Sequence, residues 1–217
     1  MRRPLLLAAC VVALTGCGAQ QAAEDVSEPG APPEAPSTNA ASTAAATEDA
    51  MASEARSDGA SITSEASTET VASPDFPGGG EDISYLTDVR TGRHEGFDRV
   101  VWAFDGPVPT YRIGYVDLPV TEDGSGDVVQ LKGAAALHAI FSPASGVDMS
   151  GAELETIYTG PNRIDRAAAG TTAVQEVVGT GDFEATLSWA VGLDAQAPFT
   201  VTELSDPARI VVDVVTN

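Results

Sequence analysis

The stretch "SDPARIVVDVV", residues Ser205–Val215, sets one arginine at the mouth of an apolar run, and "FDRVVWAFDG", residues Phe97–Gly106, repeats the arrangement. Successive side chains on a strand point to opposite faces. Val100, Trp102 and Phe104 therefore share one face, opposite Arg99, Val101, Ala103 and Asp105. In the same way Ile210, Val212 and Val214 lie opposite Arg209, Val211 and Asp213. Each segment has one wholly apolar face, and a second face that begins with Arg and carries Asp further along. That pattern makes Arg99 and Arg209 parts of the sheet, tied to nearby acids, and not catalytic groups. "TLSWAV" likewise aligns Leu187, Trp189 and Val191, so both tryptophans are expected in the core.

Working outward, short apolar runs separated by Gly, Pro and Asp fill about 140 residues from Phe76 onward, a length that suits one domain. The alternation predicts strands at Ser84–Arg90, Arg99–Asp105, Tyr111–Val116, Leu137–Phe141, Val174–Val178, Ala185–Val191, Phe199–Leu204 and Arg209–Val215. Turn signals stand at Asp105-Gly106-Pro107, Asp123-Gly124-Ser125-Gly126, Gly179-Thr180-Gly181-Asp182 and Asp206-Pro207. "GAAALHAIF" has some helical character, but it is short and lies between Gly133 and Pro143. The expected fold is all-β, a sandwich of about eight strands over residues 76–217.

The first 16 residues have another purpose. Arg2 and Arg3 precede an apolar segment, Leu5–Leu14, and "LTGC" ends in Cys17. This order resembles the lipobox of bacterial lipoproteins, in which a peptidase cuts before the cysteine and the thiol carries diacylglycerol. The apolar segment is shorter than the roughly 20 residues a spanning helix needs. The expectation is a signal peptide over 1–16 and a protein held by acyl chains on Cys17 at the extracytoplasmic face of the cell membrane. The other cysteine, Cys10, leaves with the signal. The folded part then holds no disulfide, thiolate metal site or cysteine nucleophile.

Residues 17–75 are Ala, Ser, Thr, Glu and Pro, as in "APPEAPSTNAASTAAATEDA", with isolated aliphatics such as Val26, Ile62 and Val71. Too little apolar surface is available to offset the entropy of ordering, so this stretch reads as a disordered tether. As a flexible coil of about 60 residues it would reach roughly 40–45 Å.

The chain of 217 residues has a formal net charge of −21 and a pI near 4.1, and Lys132 is its only lysine. A basic footprint for nucleic acid, or for anionic lipid, is absent from the sequence. Other chemistry is thin. His94 and His138 stand in unlike contexts and set no metal-ligand spacing. Neither Gly-x-Ser-x-Gly nor Ser-x-x-Lys occurs. Glu122, Asp123, Ser125 and Asp127 alternate with glycines as a Ca²⁺ loop might, without the EF-hand spacing, and read better as a flexible hairpin loop. Glu153 and Glu155 form the kind of carboxylate pair a glycosidase uses, but acids are common throughout this chain. Tyr111 and Tyr115 could stack on sugar, although strand aromatics are usually core. Arg90, Arg93, Arg112, Arg163 and Arg166 could meet wall-peptide carboxylates or the domain's own acids. No catalytic residue, cofactor or metal site is assigned.

The ordered set "LTDVRTGRHEGFDRVV", "FDRVVWAFDG", "YRIGYVD", "DGSGD" and "LSDPARIVVDV", spanning roughly Tyr85 to Val215, resembles AMIN domains, most closely the AMIN-like domain of actinobacterial lipoproteins. The resemblance implies a β-sandwich that localises or scaffolds in the cell envelope, where AMIN domains accompany cell-wall amidases and secretins. No such second domain follows here by Asn217, so a lipid is the only expected cargo. The expected function is therefore a lipid-anchored, non-catalytic domain that binds peptidoglycan, another wall glycan or an envelope protein. A small-ligand binder or sensor with a pocket between the sheets is the alternative. A hydrolase with dispersed catalytic groups ranks below both.

Overall fold

The structure, a computed structural model, describes residues 65–78 and 82–216. The signal segment, Cys17 and most of the tether lie outside the described residues. The strands are β1 (Val71–Ala72), β2 (Ser84–Arg93), β3 (Phe97–Asp105), β4 (Thr110–Val116), β5 (Ala135–Ser142), β6 (Ala144–Ser145), β7 (Val147–Asp148), β8 (Glu155–Thr156) and β9 (Arg163–Asp165). A one-turn helix, α1 (Arg166–Ala169), leads to β10 (Val174–Phe183), β11 (Thr186–Leu193), β12 (Phe199–Ser205) and β13 (Ala208–Val215). One sheet runs β1-β4-β5-β11-β10-β9, the other β12-β13-β3-β2-β6, and β7 pairs with β8 as a separate hairpin. All neighbours are antiparallel except β2 and β6.

All eight strands expected from alternation are present, each longer by one to five residues, and the one expected from Ala185 begins instead at Thr186. The two opening segments pair directly, with Ile210 opposite Trp102 and Val212 opposite Val100. Their apolar faces form the core: Val100, Trp102, Ile210, Val212 and Val214 are fully buried. Trp102 meets Phe141 of the facing sheet at 5.3 Å between ring centroids, and Phe104 meets the same ring edge-on at 5.4 Å. Burying each of these large side chains contributes about 1.5–3 kcal/mol. Tyr111, Ile113 and Tyr115 also face inward, and the Tyr115 hydroxyl both donates to the Ala197 carbonyl (2.6 Å) and accepts from its N–H (2.8 Å).

One buried acid joins the two sheets, and another is paired within its own. Asp98 of β3 is fully buried, and its Oδ2 accepts from the backbone N–H groups of Thr172 (2.7 Å), Ala173 (2.6 Å) and Val174 (3.0 Å). One carboxylate thus satisfies the turn that feeds β10, whose N–H groups lack ladder partners. Arg99 forms a two-pronged pair with Asp213 across the β3–β13 register, as the Arg–Asp pattern predicts. Arg209 does not follow suit. Its Nε donates to the carbonyl of Pro207 at 3.3 Å, and among the described residues it makes no salt bridge.

Two further expectations change. Gly179-Thr180-Gly181-Asp182 is no turn but an irregularity inside β10, where the register with β11 slips between Gly179 and Gly181. The reversal comes at Glu184 and Ala185, both at positive φ (50° and 55°), the left-handed pair that closes a tight hairpin. The sheet also begins before the compositional boundary at residue 76. Ser67 exchanges backbone bonds with Phe199 of β12, and β1 pairs with β4. Val71 packs on the core, and Thr70 fills the space over Gly114. The last residues of the Ser/Thr-rich stretch therefore lace the edges of both sheets.

A second, smaller core lies on the outer face of the β5–β11–β10 sheet. Val120 and Val129, with Leu131 beside them, cover Ala136, Val178 and Ala190. The 117–133 segment is thus folded back over the sheet. Its far end is pinned where the Lys132 N–H donates to buried Glu176 and the Lys132 ammonium pairs with Asp165. This arrangement delivers the Gly-rich turn to the edge of β10.

Candidate functional site

The irregularity in β10 opens a cleft of about 350 Å³. Gly179–Asp182 forms one wall and Leu187–Trp189 of β11 the floor. Gly146, Val147, Thr156, Tyr158 and Asn162 close the far side, and Glu122 and Asp123 of the folded-back loop overhang it. The volume lies within the range of small-molecule sites. The sequence expectation of a pocket between the sheets is displaced to the sheet edge.

The glycines are required by close approach. A Cβ on Gly181 would stand 2.6 Å from the Cβ of Asp123, and one on Gly179 would collide with the Asn162 side-chain oxygen. Asp123 is held there by its backbone N–H, which donates to the Thr180 carbonyl at 2.8 Å, and by the Ser188 hydroxyl, which donates to its Oδ2. Gly181→Ala is therefore expected to unseat the 121–127 turn and deform the cleft, at a cost of about 1–3 kcal/mol. Chemical denaturation checks the stability, and loss of whatever ligand the cleft holds should exceed the loss of fold. A variant as stable as wild type, with binding intact, would show that the close approach is not needed.

Behind Asp123 runs a line of side chains: Ser188 to Asp123, Thr180 Oγ1 to Ser188 Oγ (3.0 Å), and His138 Nε2 to Thr180 Oγ1 (3.3 Å). The residue types match those of a serine hydrolase, but the order does not. Thr180 separates the imidazole from the serine, so the nucleophile–base contact is missing. The chain of hydroxyls instead satisfies polar groups on a buried outer face. Burial lowers the pKa of His138, with Asp123 opposing and Arg112 adding to the shift. The folded value lies below the unfolded one, so the unfolded chain binds more protons as pH falls through the unfolded value. His138 should titrate below its ordinary range by NMR and should weaken the fold on acidification.

Glu122, Asp123 and Asp182 line the cleft, and among the described residues no Lys or Arg does. Asp182 accepts at Oδ2 from the Gly146 N–H (2.7 Å), Asp123 accepts from Ser188, and Glu122 from Ser125 (3.3 Å). Trp189 is 2% exposed, and its indole Nε1 is buried with no hydrogen-bond partner. Its Cζ2, two bonds from Nε1 on the same edge of the indole, lies 3.5 Å from where a Cβ on Gly179 would stand. Tyr158 packs edge-on against the same indole at 5.7 Å, and its hydroxyl, raised in pKa chiefly by burial, donates to the Pro161 carbonyl at 2.9 Å. Trp189 is thus core, as expected, and also the floor of a cleft.

The remaining candidates scatter. The 122–127 stretch, read as a hairpin loop in preference to a Ca²⁺ loop, closes on itself, the Asp127 N–H donating to Ser125 Oγ (3.1 Å) and the Gly126 N–H to the Glu122 carbonyl (3.0 Å). Asp123 turns away from it, and among the described residues no three acidic, His or Cys side chains converge as a metal site. Glu153 and Glu155 are both exposed beside the β7–β8 hairpin. His94 stacks on Phe97 at 4.8 Å, and burial lowers its pKa. Tyr111 is buried, and burial with a hydrogen bond to Glu203 pushes its hydroxyl up to about 12. Arg90 pairs with Asp88 (3.0 Å), Arg163 with fully buried Glu176 (2.6 Å), and Arg166 donates to Gln175 (3.3 Å). Arg93 and Arg112 make no salt bridge among the described residues. Nothing in local spacing marks the cleft, because its carboxylates come from segments about 60 residues apart. The one clue was the glycine pair at 179 and 181.

The family model of the AMIN-like domain matches residues 84–216. No curated protein and no solved structure matches the chain.

Proposed function

The chain belongs to the AMIN-like domain family, and from that premise we propose that it is a non-catalytic envelope-binding protein, anchored by lipid on Cys17 and engaging peptidoglycan or another wall glycan through the β10 cleft. Family membership supports a binding role in the cell envelope. The observation that carries the choice of surface is the cleft itself, where, among the described residues, Trp189 leaves a buried donor unpartnered beside three carboxylates that meet no Lys or Arg. In this reading the lipobox-like "LTGC" places the protein at the extracytoplasmic face of the membrane, and the tether lets the domain reach into the wall. The same cleft would serve the alternative, a small-ligand binder or sensor.

Cosedimentation of the full chain with purified cell wall at moderate salt separates these readings. The full chain is needed because Ser67 and β1 belong to the sheets. Saturable pelleting, lost in Gly181→Ala, is the expected result. A chain that stays in the supernatant at every wall concentration would refute wall binding.

A further inference from the structure

We propose that the β10 cleft is built for a ligand bearing a primary ammonium group beside a hydrogen-bond acceptor, an inference that rests on the binding role proposed above. Glu122, Asp123 and Asp182 approach the cleft from two separate segments, and among the described residues no cationic side chain forms a salt bridge with any of them. The bonds that position them use one oxygen each: Asp182 Oδ2 takes the Gly146 N–H, Asp123 Oδ2 the Ser188 hydroxyl, and Glu122 Oε2 the Ser125 hydroxyl. Among the described residues the second oxygen of each carboxylate takes no side-chain or backbone donor, which leaves it to accept from a ligand. An ammonium group offers three donors in a compact charge, and charge-assisted bonds of this kind are roughly twice as strong as neutral ones.

The acids alone would prove little in so acidic a chain. The independent observation is Trp189, whose indole N–H is buried and unpartnered, with that edge of the ring turned to Gly179 in the cleft wall. A buried donor without a partner costs free energy until an acceptor meets it. A ligand carrying a carbonyl or hydroxyl oxygen near its ammonium would satisfy both ends of the site. Anionic ligands are disfavoured by three like charges, and a bare metal ion finds no convergent ligand set among the described residues. Both a peptide amine and an amino sugar have the required chemistry.

Calorimetric titration of the full chain with Nα-acetyl-lysine amide, a peptide amine, and with glucosamine, a sugar amine, tests the assignment and tells the two sources apart. Saturable binding of at least one is expected, weakened by raised salt. The double variant E122Q/D182N, which keeps the acceptors for Ser125 and Gly146, should bind about tenfold more weakly or worse. E95Q/D206N removes two exposed charges outside the cleft and should leave binding unchanged. A second arm leaves the protein untouched: wall whose amines are capped with acetic anhydride should no longer pellet the chain, while untreated wall does. Equal pelleting by capped and untreated wall, or saturable heat with neither amine, would overturn the ammonium assignment and leave wall binding standing. Failure of untreated wall to pellet the chain would instead overturn the wall reading, and the two amine titrations would then decide the cleft's ligand alone.

Discussion

Asp98→Ala is expected to cost about 3–5 kcal/mol, a large share of the roughly 5–15 kcal/mol that holds an ordinary domain together. The carboxylate is fully buried, and one of its oxygens accepts three consecutive backbone N–H groups, from Thr172 to Val174. Alanine leaves all three donors without a partner in a place water reaches poorly, and each orphaned donor costs about 1–3 kcal/mol before relaxation. The loss also frees the turn before β10 from β3, so one bond set that joins the two sheets disappears. Asp98→Asn retains an acceptor oxygen of the same reach and should recover part of the loss. Urea denaturation followed by tryptophan fluorescence measures both. A cost below about 1 kcal/mol for the alanine variant would mean that the turn finds other partners.

The second large effect separates two arginines that the sequence presents as twins. Arg99→Ala should destabilise by about 2–4 kcal/mol, whereas Arg209→Ala should cost less than about 1 kcal/mol. Arg99 grips Asp213 with Nε at 2.7 Å and Nη2 at 2.8 Å, and its guanidinium lies over the Phe97 ring at 5.2 Å. The Asp213 side chain is 4% exposed, so removing its partner strands a buried charge. Arg209 gives up only a 3.3 Å bond to a carbonyl two residues away. Thermal or urea denaturation of the two single variants decides the matter. Equal costs would show that Arg209 has an undetected architectural role.

The contrast explains what was legible in the sequence. Alternation in "RVVWAFD" and "RIVVDV" exposed the strands, their faces and the core, because a period of two is a property of local backbone. Which acid each arginine meets depends on the register between β3 and β13, which sets Asp213 opposite Arg99 and Ala103 opposite Arg209. Nothing local in either segment records that register. The strands β6 to β9, two or three residues each, are too short to show any period. Gly179 and Gly181 look like a turn because turns and strand irregularities both call for residues without a side chain. Only the folded-back loop, which brings Asp123 against Gly181, shows which use was made of them. The edge-lacing residues from Ser67 to Ala72 were hidden for a similar reason, since two backbone bridges need no apolar pattern.

Binding through the cleft at the β10 irregularity can be read from inside the domain. The chain holds two tryptophans, Trp102 and Trp189, and both indole N–H groups are buried and unpartnered. Only Trp189 lines the cleft, so Trp102 in the core is a built-in reference. The most direct measurement is therefore an ¹H–¹⁵N NMR titration of the two indole signals with enzymatically solubilised peptidoglycan. The Trp189 signal is expected to move saturably, with the Trp102 signal stationary. A fragment that binds while the Trp189 signal stays in place would contradict binding through the cleft.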